Sequence, residues 1–248
     1  MQVLLFLHRL YFFVILNIRN KKTYKMKKII FLFIISSLIS IKGIGLTLSP
    51  ETEVSILTCA PGNELYSLFG HTAIRINDPR HQIDRVYNYG TFDFSTPHFY
   101  LKYARGLLPY QLTVQKFSHF IYNYQLEERT VYAQTIRLDS LEKQRIFDLL
   151  EENLLPQNRY YLYNFLFDNC TTRSRDILLK SLPDSVAWNM PDVNKNFWNL
   201  LDEYLQASPW VQWGIHTILG QRGNRTATTF QYMFLPDYLM YGLKNARY

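Results

Sequence analysis

Two residues carry the chemistry that this sequence offers. Cys170 stands in Asp168-Asn169-Cys170-Thr171-Thr172-Arg173-Ser174-Arg175-Asp176, directly before the apolar residues Ile177, Leu178 and Leu179. The pattern predicts a helix over 171–182 with Cys170 at its N-terminus. The partial positive charge there lowers a thiol pKa and favours the thiolate. Free backbone N–H groups at such an end can also stabilise an acyl oxyanion. A buried, inert cysteine, or one that merely packs beside a capping segment, would give the same local pattern. His71 follows Gly70 at the head of the alternating run His71-Thr72-Ala73-Ile74-Arg75-Ile76, which predicts a strand. A strand-edge histidine facing a helix-start cysteine is the arrangement a thiol hydrolase or transferase requires. Asn88 lies on the next expected strand, where it can orient the imidazole. Asn88 reads equally well as a turn residue at a strand end.

Other chemistries lack their residues. There is no Cys-x-x-Cys, no histidine pair at metal spacing, no Gly-rich phosphate loop and no Gly-x-Ser-x-Gly. No metal or cofactor is expected. Arg173 and Asp176 read as structural pairs, and residues 220–225 read as a loop rather than an anion site. With Cys59 and Cys170 as its two cysteines, the chain is no disulfide scaffold. One Cys59–Cys170 bridge remains an alternative to a reactive thiol.

The elements that must position these residues follow from pattern. A strand is expected over 53–59, turn chemistry at Pro61-Gly62-Asn63, and a short helical turn over 63–69 closed by Gly70. Strands are expected over 71–76, 85–90, 113–117 and 129–138, and a helix over 97–105. Asp139 with Glu142 marks a helix start; Leu141, Ile146, Leu149, Leu150 and Leu154 follow at helical spacing, and Pro156 ends it. Residues 160–167 are densely aromatic, and 198–248 read as less regular. The expected class is α+β, one domain over residues 46–248.

The 248 residues carry a net charge of +7, but residues 1–50 hold eight Lys or Arg and no acid. The remainder has 19 basic and 20 acidic residues, with no basic run, which excludes a nucleic-acid surface. The 19 Tyr and 17 Phe suit an amphipathic substrate or a membrane interface. Met26-Lys27-Lys28, the apolar run 29–41, and Gly43 and Gly45 before a cleavage point have the grammar of a signal peptide over 26–45. Residues 1–25 then read as an upstream extension, the alternative being an uncleaved anchor over 3–41.

Three further stretches complete a pattern: residues 61–73 (Pro-Gly-Asn-Glu-Leu-Tyr-Ser-Leu-Phe-Gly-His-Thr-Ala), residues 87–94 (Tyr-Asn-Tyr-Gly-Thr-Phe-Asp-Phe), and Phe234-Leu235-Pro236-Asp237. Together with Asp168 to Arg173 they resemble, in order, the Lnb N-terminal periplasmic domain family of Bacteroides-like bacteria (Bacteroidota). The order of His before an Asn-Cys pair is also similar to NlpC-type and lecithin:retinol acyltransferase-like thiol enzymes. The resemblance implies a circularly permuted papain-like core, an antiparallel sheet packed on helices. It implies a lipoprotein N-acyltransferase that moves an acyl chain from phospholipid, through Cys170, to the N-terminal amine of lipoproteins. Cys170 would be the nucleophile, His71 the base and Asn88 the orienting residue, with Tyr89, Asn169 and Thr171 contacting substrate. Phospholipid donor and lipoprotein acceptor would meet the enzyme in the periplasm, at the outer face of the inner membrane. Full-length relatives continue into transmembrane helices, so a chain stopping at Tyr248 reads as a truncated or stand-alone form. A cysteine amidase or peptidase acting on cell-wall peptides shares the chemistry up to the acyl-enzyme. A non-catalytic lipid- or partner-binding module is the third reading. Oligomeric state is left open.

Overall fold

The computed structural model describes residues 45–93, 95–98, 102, 107–191 and 194–247. The expected leader and most of the helix expected over 97–105 lie outside these residues. The body over 47–248 forms one compact unit.

Its frame is a six-stranded antiparallel sheet. The strands are β1 (Glu53–Cys59), β2 (His71–Asp78), β3 (Ile83–Thr91), β4 (Pro109–Lys116), β5 (Val131–Thr135) and β6 (Tyr160–Leu162), in the order β5-β1-β2-β3-β4-β6. Seven helices accompany it among the described residues: α1 (Phe117–Leu126), α2 (Ser140–Leu154), α3 (Cys170–Ser181), α4 (Phe197–Leu205), α5 (Pro209–Leu219), α6 (Thr229–Tyr232) and α7 (Pro236–Asn245). The α+β class and the antiparallel sheet match the sequence reading.

The central strands are apolar on both faces because both faces are covered. Val54, Ile56, Ile74, Ile76, Tyr87 and Leu112 pack against Ile146, Phe147 and Leu150 of α2, Ile177 and Leu178 of α3, and Leu239 of α7. On the opposite face Leu57, Cys59, Ala73 and Val86 meet Phe120 of α1. The period-2 side-chain alternation of a strand sends neighbours to these separate cores. A further cluster joins α4 to the segment before α7, through Phe197, Leu200, Leu201, Leu205, Tyr232, Phe234 and Leu235.

Several expectations shift. Residues 198–248, read as less regular, contain most of α4 and all of α5, α6 and α7. Their start signals are local: Pro209 and Pro236 in first helical turns, and a Thr228–Gln231 capping box. The strand expected over 113–117 begins earlier, at Pro109, and yields at Phe117 to α1, whose Phe120 is buried. The strand expected over 129–138 is confined to five residues. Residues 63–69 form successive turns rather than a helix. The Asp139–Glu142 capping box does open α2.

Candidate active site

The helix-start reading of Cys170 holds in detail. Asn169 is the N-cap of α3 in extended conformation, and its Oδ1 accepts from the N–H groups of Thr171 (2.9 Å) and Thr172 (2.8 Å). Thr172 Oγ1 returns the favour by accepting from Asn169 N–H at 2.8 Å. The other end of the Asn169 side chain donates to the carbonyls of Phe165 (2.8 Å) and Phe234 (2.9 Å). Arg173 closes a two-pronged ion pair on Asp168 at 2.6 and 2.8 Å and lies over the Tyr161 ring at 3.5 Å. Such doubly held geometry fixes the first turn, so Cys170 enters the helix in one orientation.

The sheet opens to receive it. The β2–β3 ladder runs from Asp78↔Ile83 to Ile74↔Tyr87 and goes no further. Beyond it lie His71 and Asn88, whose side chains meet directly. The Thr72 backbone N–H lies close enough to the Cys170 sulfur to lower its pKa. A β-bulge between Asn88 and Thr91 shifts β3 against β4, with Gly90 inside it at φ +86°. Only glycine adopts that conformation without strain. A Cβ at Gly90 would stand 3.4 Å from Cys170 Cβ, so the bulge also clears the ground beside the thiol.

Gly70, before His71, is needed for a second reason. Its φ is +75°, and a Cβ there would meet the Cys59 carbonyl oxygen at 2.6 Å. The other side of this tight passage is Pro236. The segment 234–236 therefore braces both the histidine turn and the Asn169 cap.

The His71 imidazole and the Cys170 thiol are close enough for each to shift the titration of the other. His71 Nε2–H donates to Asn88 Oδ1 at 3.3 Å. Asn88 is buried and donates to the Val86 carbonyl at 3.4 Å. Burial acts against charge on both partners, yet their mutual attraction outweighs it. The imidazole pKa is raised against its burial by the Cys170 charge, the Cys170 hydrogen bond and Asn88. The thiol pKa is lowered against its burial by the His71 charge and hydrogen bond, the Thr72 N–H and the Thr171 hydroxyl. Both shifts act toward thiolate and imidazolium, the form in which cysteine is a nucleophile.

Cys170 sits at the floor of a cavity of about 500 Å³. Leu65, Tyr66 and Phe69 line one side, Val211, Ile215 and Leu219 of α5 another, and Tyr110, Tyr163, Phe165 and Phe234 the walls. The polar groups reaching it are few, His71, Asn169 and Thr171 among them.

The structure brings Cys170, His71 and Asn88 together as the sequence reading expects, and Asn169 and Thr171 line the cavity. Asn169 serves the helix cap, while Thr171 Oγ1 shares a hydrogen bond with Thr72 Oγ1 at 3.1 Å. Tyr89 is placed elsewhere: it is buried in the main core, and its hydroxyl accepts from Asn153 Nδ2 at 2.8 Å. Its neighbour Gly90 borders the cavity instead. Sequence reasoning missed the Thr72 amide, Gly90 and the α5 wall. Tyr161, near the thiol and with its phenol pKa raised by burial and the Cys170 charge, was also passed over within the aromatic run. The two cysteines are free, not bridged.

No helix among the described residues is long and apolar enough to cross a membrane. No curated protein and no solved structure matches the chain. A family model described as the Lnb N-terminal periplasmic domain matches residues 47–201, a span holding His71, Asn88 and Cys170. The chain belongs to the Lnb N-terminal periplasmic domain family.

Proposed function

We propose that this protein is a periplasmic thiol acyltransferase that moves an acyl chain from phospholipid to the N-terminal amine of lipoproteins. One observation carries the reading: the helix-start thiol of Cys170 and the His71 ring together line an apolar cavity. The cavity, at about 500 Å³, falls within the roughly 300–1,000 Å³ of small-molecule sites. Its aliphatic and aromatic walls suit an acyl chain, whereas a cell-wall peptide would bring polar groups that these walls cannot satisfy.

In the proposed reaction the Cys170 thiolate attacks the ester carbonyl of the donor. The first-turn amides of Thr171 and Thr172 are engaged by Asn169 Oδ1, and that of Arg173 by the Asn169 carbonyl. The Cys170 N–H is thus the helix-end donor that faces the developing oxyanion. The imidazolium of His71 gives its proton to the departing lysophospholipid alkoxide, leaving a thioester on Cys170. The acceptor amine then attacks the thioester, His71 takes a proton from it, and the thiolate departs as the amide forms. Asn88 holds the ring through Nε2 in both halves. A histidine on an early strand serving a later helix-start cysteine suits a circularly permuted papain-like arrangement.

Incubation with phospholipid, followed by mass spectrometry, is expected to find a thioester-linked acyl group on Cys170 that hydroxylamine removes. No adduct on the wild type, together with activity surviving Cys170→Ala, would end this reading. Release of muropeptide fragments instead would reassign the site to hydrolysis.

A further inference from the structure

Among the described residues, the outer face of α5 has no partner, and it carries no charge. Trp210 is 84% exposed, Trp213 66% and Ile218 73%, and no residue of this 11-residue helix is buried. At 100° per residue, Trp210, Trp213, Thr217 and Ile218 share one face, while Val211, Ile215 and Leu219 face inward. Ile218 and Gly214 belong to both the outer face and the cavity lining. The apolar surface therefore runs without a polar break from the outside of α5 into the chamber that holds Cys170. Across the mouth, Leu65 and Tyr66 are also exposed.

The charge along the chain around this helix has one sign. Between Glu203 and Asp237 the chain has no acid, and Arg222 and Arg225 stand exposed just past the helix. Asp202, the acid nearest the inner side, is engaged by His216 at 2.8 Å. Tryptophans at the rim of an apolar face, followed by arginines, match the layering of a bilayer surface: acyl region, interface, anionic headgroups. At about 16 Å, α5 is too short to span and has the length of an in-plane helix.

We infer that α5 is a membrane-docking helix. Trp210, Trp213 and Ile218 enter the interfacial layer of a bilayer, Arg222 and Arg225 meet anionic headgroups, and the mouth of the cavity is thereby held against its acyl donor. The inference rests on the acyl-transfer reading for what passes into the cavity, but the docking itself is measured separately.

The test uses the full chain with vesicles of brominated phosphatidylcholine and phosphatidylglycerol. Tryptophan fluorescence of the wild type is expected to be quenched, and the W210F/W213F variant to lose most of that quenching, since Trp188 and Trp198 remain. The R222Q/R225Q variant is expected to bind these vesicles roughly thirtyfold more weakly and pure phosphatidylcholine vesicles unchanged. No quenching of the wild type, or equal quenching of W210F/W213F, overturns the inference. So does a dimer that W210F/W213F converts to monomer, which would assign the face to a second copy. Acylation of Cys170 by a soluble nitrophenyl ester separates the two readings. Acylation without quenching removes the docking helix and keeps the chemistry. Quenching without acylation from soluble or vesicle donor removes the chemistry and keeps the docking helix.

Discussion

Cys59 and Cys170 are both buried, both unbridged, and both adjacent to His71, one through the β1–β2 ladder and one through its side chain. Their thiols are driven in opposite directions. Cys59, 0% exposed on the α1 face of the sheet, has its pKa pushed up to about 12 by burial, against the pull of Tyr124 and Arg129. Cys170, 9% exposed, suffers burial as well, yet the imidazole, the Thr72 N–H and the Thr171 hydroxyl bring its pKa below the ordinary thiol value. Burial alone makes a cysteine a small hydrophobe. A nucleophile requires that donors and a cation converge on the sulfur, as His71, Thr72 and Thr171 do at Cys170.

The sharpest way to break this contrast is to exchange the fates of the two thiols. Cys170→Ala is expected to abolish the acyl adduct altogether, read by intact-protein mass spectrometry, whereas Cys59→Ala should leave it in place. His71→Ala is next, lowering the rate of acyl-enzyme formation by about 100-fold to 10,000-fold, the range of a lost general acid–base. The same variant should raise the pH at which iodoacetamide alkylates Cys170, making it resemble an ordinary thiol.

In the wild type, alkylation of Cys170 should rise as pH climbs through its lowered pKa and remain high below the ordinary thiol range. Transfer should fall again as pH passes the raised pKa of His71, where the imidazolium proton is lost. Cys59 should stay unmodified across that range until denaturant exposes it. Asn88→Ala removes one hydrogen bond worth about 1 kcal/mol, and should slow turnover by roughly tenfold or less while the alkylation profile of Cys170 moves only slightly. The smallest effect belongs to Cys59→Ala, expected to cost roughly 1 kcal/mol of stability, comparable to one buried methylene, in a denaturant titration.

Much of the Cys170 side of this contrast was legible in the sequence. A cap such as Asn169-x-x-Thr172 acts over three residues, so the helix start is written locally. The strand of His71 is equally local, being an alternation of side chains. The partnership of the two residues is not local: 99 residues separate them, and it was the ordered family pattern that joined them. Gly90 was visible as a glycine but not as a bulge, because a bulge is a mismatch between two strands and exists only once β4 is aligned with β3. Tyr89 shows the same limit. A one-residue difference in facing decides between cavity and core, and the bulge changes which residue that is. The helices after residue 197 did carry cap and proline signals. Their outer exposure could not be read, since the tryptophans of α5 look in sequence like core residues and become surface only when the rest of the chain has taken its place.

The bracing of the site by the segment 234–236 has a consequence in time. The Asn169 side chain reaches the Phe234 carbonyl across 65 residues of sequence, and the glycine before His71 passes between Cys59 and Pro236. During synthesis and export, Cys170 and His71 emerge well before Phe234 and Pro236 do. Until those residues arrive, the helix cap lacks one of its anchors and the histidine turn lacks its wall. The proposed nucleophile would then gain its final bracing only from the late-arriving residues. A truncation between Cys170 and Phe234 is expected to lower the reactivity of Cys170 toward iodoacetamide, although both members of the pair remain in the sequence.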